Sequence, residues 1–181
     1  HLVNGVIPIK TRFVKNKNDF TKDTDVIDHV DELPIPDFGV VDIKNYYKYG
    51  ILSAAQTVSY DTPLATMQTV RGCTARCTFC SVRNFNGFGI RTHSPERVLK
   101  EIKILYDQYG IRHIDFVDDD FTVSKERVIK ICEMLIEKKL NLTWSIGNGV
   151  RLGSLDDEIL TYMANAGCTY LSLGIESGDG E

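Results

Sequence analysis

The chain has no apolar run long enough to cross a bilayer, no long block of basic residues and few cysteines, and each shortage removes a class of protein. Without about twenty consecutive apolar residues no membrane-spanning helix is expected. The start HLVNGVIPIK lacks the charged and apolar regions of a secretory signal. A net charge of −4, from 21 Lys and Arg against 25 Asp and Glu, offers no broad attraction for nucleic acid or an anionic membrane. Five cysteines in 181 residues are too few and too unevenly placed for a disulfide-stapled secreted fold, so a reducing, cytoplasmic compartment is predicted. What remains is ordinary for one soluble globular domain, with 43% hydrophobic and 25% charged residues. The chain opens on His1 and closes on GIESGDGE, directly after an expected strand, so a piece of a longer protein is expected.

Residues 1–64 show little sustained periodicity. Pro34 and Pro36 in DELPIPDFG fix extended backbone and break any helix. A short strand pair is expected around GVIPIKTRFVKN and a polar loop in KNKNDFTKDTD. This part reads as an irregular linker, the tail of an upstream domain, with no chemistry assigned. From residue 65 the pattern becomes regular. SPERVLKEIKILYDQYG has Ser94 as cap, Pro95 at the first helical position and Gly110 as stop, with Val98, Ile102, Leu105 and Tyr109 on one face. SKERVIKICEMLIEKK starts at Ser124 and carries an apolar face of Val128, Ile131, Cys132, Leu135 and Ile136. SLDDEILTYMANAG is expected to be capped by Ser154 and stopped by Gly167. Between the helices lie four strand-like runs, ATMQTV, RHIDFVD, LTWSI and CTYLSLGI. Strand and helix alternating at about thirty-residue intervals predict an α/β fold with parallel strands buried on both faces.

In such folds ligands bind at the carboxyl ends of the strands. Here those ends lead into a cysteine loop, then DDDFT, GNGVR and ESGDGE, whereas the opposite turns carry helix-stop glycines and little else. Cys73, Cys77 and Cys80 form C-x3-C-x2-C. A structural zinc site needs a fourth ligand, and Cys132 and Cys168 read more simply as small core residues. Three thiolates match a four-iron four-sulfur cluster whose fourth iron is open to a ligand. Arg71, Arg76 and Arg83 beside them would favour thiolates and an anionic cluster, although solvated surface is an equal reading of each.

CTARCTFC resembles the C-x3-C-x-aromatic-C signature of the radical S-adenosylmethionine (radical SAM) superfamily. PIPDF before it and RTHSPERVLKEI, FVDDDFTV, WSIGNGVR, LDDEIL and the run AGC to LGIESG after it resemble the branch often fused to a cobalamin-binding domain. The resemblance implies a partial parallel (β/α) barrel of TIM-like type, of which this chain would supply about four strands. It implies metal ligation by Cys73, Cys77 and Cys80. It also implies an S-adenosyl-L-methionine site involving Phe79 near the adenine, one aspartate of 118–120 (Asp119 in preference) at the amino group, Asn148 and Arg151 near the carboxylate, and Glu176 and Ser177 at the ribose. A reduced cluster would pass one electron to the sulfonium and release a 5′-deoxyadenosyl radical that abstracts a substrate hydrogen. A small-molecule substrate, an electron donor such as flavodoxin or ferredoxin, and cobalamin in the full-length protein are implied with it. Two alternatives are a non-catalytic zinc-binding module and a radical methylthiotransferase acting on tRNA. The first leaves the polar groups at all four strand ends unexplained. The second normally brings an N-terminal cysteine-bearing domain, yet residues 1–64 contain no cysteine.

Overall fold

The computed structural model describes residues 29–48, 62–86 and 89–178. The strand pair expected within 5–16 and the polar tract at 15–25 lie outside them. In chain order the elements are α1 (Ile43–Lys48), β1 (Leu64–Met67), β2 (Val70–Arg71), α2 (Val82–Asn86), β3 (Arg91–Thr92), α3 (Pro95–Tyr109), β4 (His113–Phe116), α4 (Lys125–Lys138), β5 (Thr143–Arg151), α5 (Asp157–Asn165) and β6 (Cys168–Gly174). Strands β1, β4, β5 and β6 form one parallel sheet in that order.

Two of the three long helices begin where their caps are written. The Ser94 hydroxyl accepts the Arg97 N–H at 3.2 Å, and Gly110 closes α3 in the left-handed conformation at φ 70°. Ser124 accepts from Arg127 in the same way to start α4. The third cap differs from expectation: Asp156, not Ser154, accepts the first-turn N–H, from Ile159 at 2.9 Å. Ser154 instead donates to the Arg151 carbonyl and meets the Thr122 hydroxyl, tying the turn after β5 to the loop after β4.

The strands alternate with period two, and the two faces differ in character. Ala65, Met67, Ile114, Phe116, Trp144 and Ile146 point to the helices and join the core with the buried faces of α3, α4 and α5. Phe116, Phe121 and Trp144 pack as an aromatic trio with centroids 4.8 to 5.6 Å apart. On the face away from the helices stand Thr66, His113, Asp115, Thr143 and Ser145. His113 bridges the hydroxyls of Thr143 (2.8 Å) and Ser145 (2.9 Å), and Ser145 donates to Asp115 at 2.8 Å. Burial pushes His113 down to about 4.

Four expectations are corrected. ATMQTV is a strand only to Met67; after a two-residue break it continues as β2, which pairs antiparallel with β3. The third strand does not stop at Ile146 but runs to Arg151, with an irregular register between Ile146 and Val150 where Gly149 adopts φ 101°. Ile136 lies off the α4 core face and is exposed. The fourth strand is not buried on both faces: among the described residues β6 pairs only with β5, and Tyr170 and Leu173 are exposed. In the N-terminal part the described residues hold α1 and two single 3-10 turns, Val30–Glu32 and Phe38–Val40. Asp31 accepts the Ser94 N–H and meets His93, Arg97 holds the Leu33 carbonyl at 2.6 Å, and Phe38 meets Tyr109 edge-on.

Candidate active site

The cysteine loop leaves the sheet at the carboxyl end of β1 and is fastened at its root by the neighbouring strand. Asp118, Asp119 and Asp120 follow β4, and each grips a successive piece of the loop's incoming arm. Asp118 is buried and accepts the Thr69 N–H, the Thr69 hydroxyl at 2.6 Å and the Val70 N–H at 2.8 Å. Burial pushes its carboxyl up to about 6, although these bonds and the Arg127 guanidinium pull it down. Asp119 accepts the Gly72 N–H at 2.7 Å and the side-chain amide of Asn86. Asp120 is buried; its Oδ2 pairs with Arg151 at 2.8 Å and lies 3.8 Å from the Cys73 sulfur. Its Oδ1 has no hydrogen-bond partner among the described residues. Three adjacent acids thus divide the work by pointing in three directions.

Arg127 ties the same root from behind. It is buried on α4, donates to the His93 carbonyl at 2.8 Å and to the Thr69 hydroxyl at 2.9 Å, and sits beside the Asp118 charge. Neither Arg127 nor Asn86 is singled out by motif reading. Arg127 leaves a trace in the sequence all the same, since it falls four positions before Ile131 on the apolar helix face. Gly72 is sterically required. At φ 90° a Cβ there would lie 2.1 Å from the Gly89 carbonyl oxygen, where β2 and β3 close the loop's base.

The other expected site residues sit around this centre. Cys73 is half-buried, while Cys77 and Cys80 are exposed. Phe79, between them, is exposed at 75%. Asn148 lies on the irregular stretch of β5 and Arg151 just beyond it, and Arg151 bridges to an acid. Glu176 and Ser177 are exposed just past β6, with Glu176 in the left-handed conformation at φ 59°. Cys73, Asp120 and Arg151 are therefore joined; among the described residues Phe79, Asn148 and Glu176 make no side-chain hydrogen bond or ion pair with those three. The remaining cysteines stand apart. Cys132 is buried in the core and pushed up to about 12, and Cys168, packed against that core, is pushed up to about 11, both by burial.

Three thiols are donors that both zinc and iron–sulfur sites use. Among the described residues no three His, Cys, Asp or Glu side chains converge on one point. A multi-iron cluster spreads its thiolates over separate irons, which an extended three-cysteine loop allows. The unpartnered Asp120 oxygen beside Cys73 adds a buried acceptor for a cationic group.

A family model described as the radical SAM superfamily matches residues 67–181, from β1 through the cysteine loop to the end of the chain. The chain belongs to the radical SAM superfamily. That family's cofactors are S-adenosylmethionine and a four-iron four-sulfur cluster. An uncharacterized methyltransferase of Pyrococcus horikoshii is 34% identical over 84% of this chain and 30% of its own length. Cytidylyl-2-hydroxyethylphosphonate methyltransferase of Streptomyces wedmorensis is 30% identical over 82% of this chain and 27% of its own length. The radical SAM chain thus spans less than a third of these relatives. In fold it is similar to the radical S-adenosylmethionine methyltransferase TsrM of Kitasatospora setae, solved with cobalamin and a [4Fe-4S] cluster bound. The TM-score is 0.57 at 21% identity, covering 62% of this chain and 22% of that one. The parallel four-stranded sheet with its helices on one side is the α/β arrangement that this chain shares with that radical SAM methyltransferase. Among the described residues no helix is long and apolar enough to cross a membrane.

Proposed function

We propose that this chain forms the N-terminal part of the radical SAM core of a longer enzyme, preceded by a tail of an upstream domain in residues 1–64, and that the whole protein transfers a methyl group with the help of cobalamin. The observation that carries the reading is the fastening of the three-thiol loop at the strand ends, with the buried Asp120 carboxylate against Cys73. The methyltransferase names of the relatives and the cobalamin bound in TsrM support the choice of reaction.

Cys73, Cys77 and Cys80 would hold the cluster, which together with S-adenosylmethionine supplies one-electron chemistry. Asp120 is better placed than Asp119 to receive the cofactor ammonium group, since its Oδ1 is unpartnered whereas Asp119 is engaged by the loop. Arg151, anchored on Asp120, would present its remaining guanidinium N–H groups to the carboxylate, with Asn148 three residues earlier on β5. Phe79 would lie against the adenine, and Glu176 and Ser177 at the fourth strand end would meet the ribose hydroxyls. A flavodoxin or ferredoxin would deliver the electron, and a small molecule would be the substrate.

Replacement of any one of Cys73, Cys77 or Cys80 by Ala in the intact, anaerobically reconstituted protein should abolish both the visible charge-transfer absorption of the cluster and reductive cleavage of S-adenosylmethionine. Cleavage retained by any of the three variants contradicts the reading. Cys132→Ala and Cys168→Ala should keep the cluster and change stability alone.

A further inference from the structure

Asp119 stands where an S-adenosylmethionine contact is expected, yet its carboxylate is turned to the protein. One oxygen, Oδ2, accepts both the Gly72 N–H at 2.7 Å and the Asn86 amide. Gly72 immediately precedes the first of the three cysteines, and Asn86 is the last residue of α2, after the third. All three thiols therefore lie on a stretch whose two ends meet at a single atom carried by the neighbouring strand end. We propose that Asp119 is a positioning residue that holds both arms of the cysteine loop in register for the cluster, and does not itself contact S-adenosylmethionine. This rests on the cluster reading given above.

The loop's other fastenings show why one carboxylate matters there. Its base is closed by β2 and β3, a ladder of two residue pairs. Within the loop Arg83 donates to the Thr74 carbonyl at 3.3 Å and the Cys80 N–H to the Cys77 carbonyl at 3.3 Å, both ties between near neighbours in sequence. Cys77 and Cys80 are exposed, so packing does not order them. Removing the Oδ2 bridge frees the incoming arm from the outgoing one and returns conformational entropy to the segment that must present three thiolates together. Charge sharpens the role, because hydrogen bonds to an ionised acceptor are roughly twice as strong as neutral ones. Arg91 closes the arrangement from the other side by donating to the Asn86 carbonyl.

The test uses the full-length protein reconstituted anaerobically with iron and sulfide, with Asp119→Ala, Asn86→Ala and the double variant beside the wild type. The rate of iron loss to a ferrous chelator is followed. The change that S-adenosylmethionine induces in the electron paramagnetic resonance spectrum of the reduced cluster is titrated in parallel. Asp119→Ala should lose iron about tenfold faster or more, in line with the cost of removing a group that orients a metal ligand. Asn86→Ala should show a smaller effect, and the double variant should be no faster than Asp119→Ala, since both act through one oxygen. The cluster that remains should respond to S-adenosylmethionine at the wild-type concentration, and the urea midpoint of the cluster-free protein should stay close to wild type. Wild-type iron retention combined with a weakened S-adenosylmethionine response overturns the proposal and makes Asp119 a cofactor contact. Should Asp119→Ala not fold, unchanged iron loss in Asn86→Ala overturns it equally. A wild-type protein that assembles no cluster refutes the underlying reading, a result distinguishable from either.

Discussion

At the scale of single residues, the site depends on buried groups whose charge state is set by what surrounds them. His113 and Asp118 are both buried and shift in opposite directions. The folded-state value of Asp118 lies above its ordinary 3.8, so its contribution to stability is full below that value and is lost as pH rises through about 6. His113 falls from 6.5 to about 4, so its contribution is full above 6.5 and is lost as pH drops toward 4. His113→Gln isolates the second effect. Relative to wild type, its stability should improve by about 3 kcal/mol between pH 6.5 and 4, the worth of a shift of about 2.5 pH units. Urea titrations at three pH values check this, and a pH-independent difference would show that the imidazole titrates alike in the folded and unfolded chain. Gly72→Ala should be severe, because the left-handed backbone and the Gly89 carbonyl both exclude a Cβ. A thermal midpoint close to wild type would contradict that geometry. That Cys73, Cys77 and Cys80 sit on the loop at the carboxyl end of β1 was legible at this scale from their place between an expected strand and an expected helix. The separate tasks of Asp118, Asp119 and Asp120 were not, because three like residues in a row carry no mark of which way each will turn.

At the scale of elements, caps were readable where a single candidate preceded the apolar run and ambiguous where several did. Ser94 and Ser124 stand alone before their helices, but Ser154 competes with Asp156, and the residue nearer the first buried position won. Ser94→Ala and Ser124→Ala should each cost about 1 kcal/mol, and their sum should hold in the double variant because the caps serve different helices. Chemical denaturation measures both, and a marked departure from additivity would mean that the two helix starts communicate through Arg127 and the His93 carbonyl. The end of β5 was illegible for a different reason. GNGVR has the composition of a turn, yet pairing with β6 holds Val150 and Arg151 in extended form beyond an irregular register. A neighbouring strand supplied what local propensity did not. The β2 and β3 pair was hidden for the same cause, being two residues long on each side.

At the scale of the whole molecule, the α/β class and its parallel strands were legible because every crossover carried helix starts and stops. The exposure of β6 was not, since apolar composition reads as burial whether or not the covering partner is near. Tyr170, Leu173 and Ile175 are exposed along this strand and its end, with Leu160 on the helix before it. An uncovered edge of this kind recruits other strands. Residues 62–178 made alone should therefore self-associate, and Leu173→Lys should reduce this; sedimentation velocity across a concentration series measures both, and a monomer at every concentration would refute the expectation. The strand order has a further consequence, in time instead of space. Strands β4 and β5 have a parallel neighbour on each side, and β1 and β6 on one. Amide hydrogens should then exchange with solvent last in His113–Phe116 and Thr143–Ile146 and soonest along β6, so the fold opens from the β6 edge inward. Thr69 and Val70 are tied through Asp118 to the end of β4, which puts the root of the cysteine loop on the slow-exchanging side of the molecule.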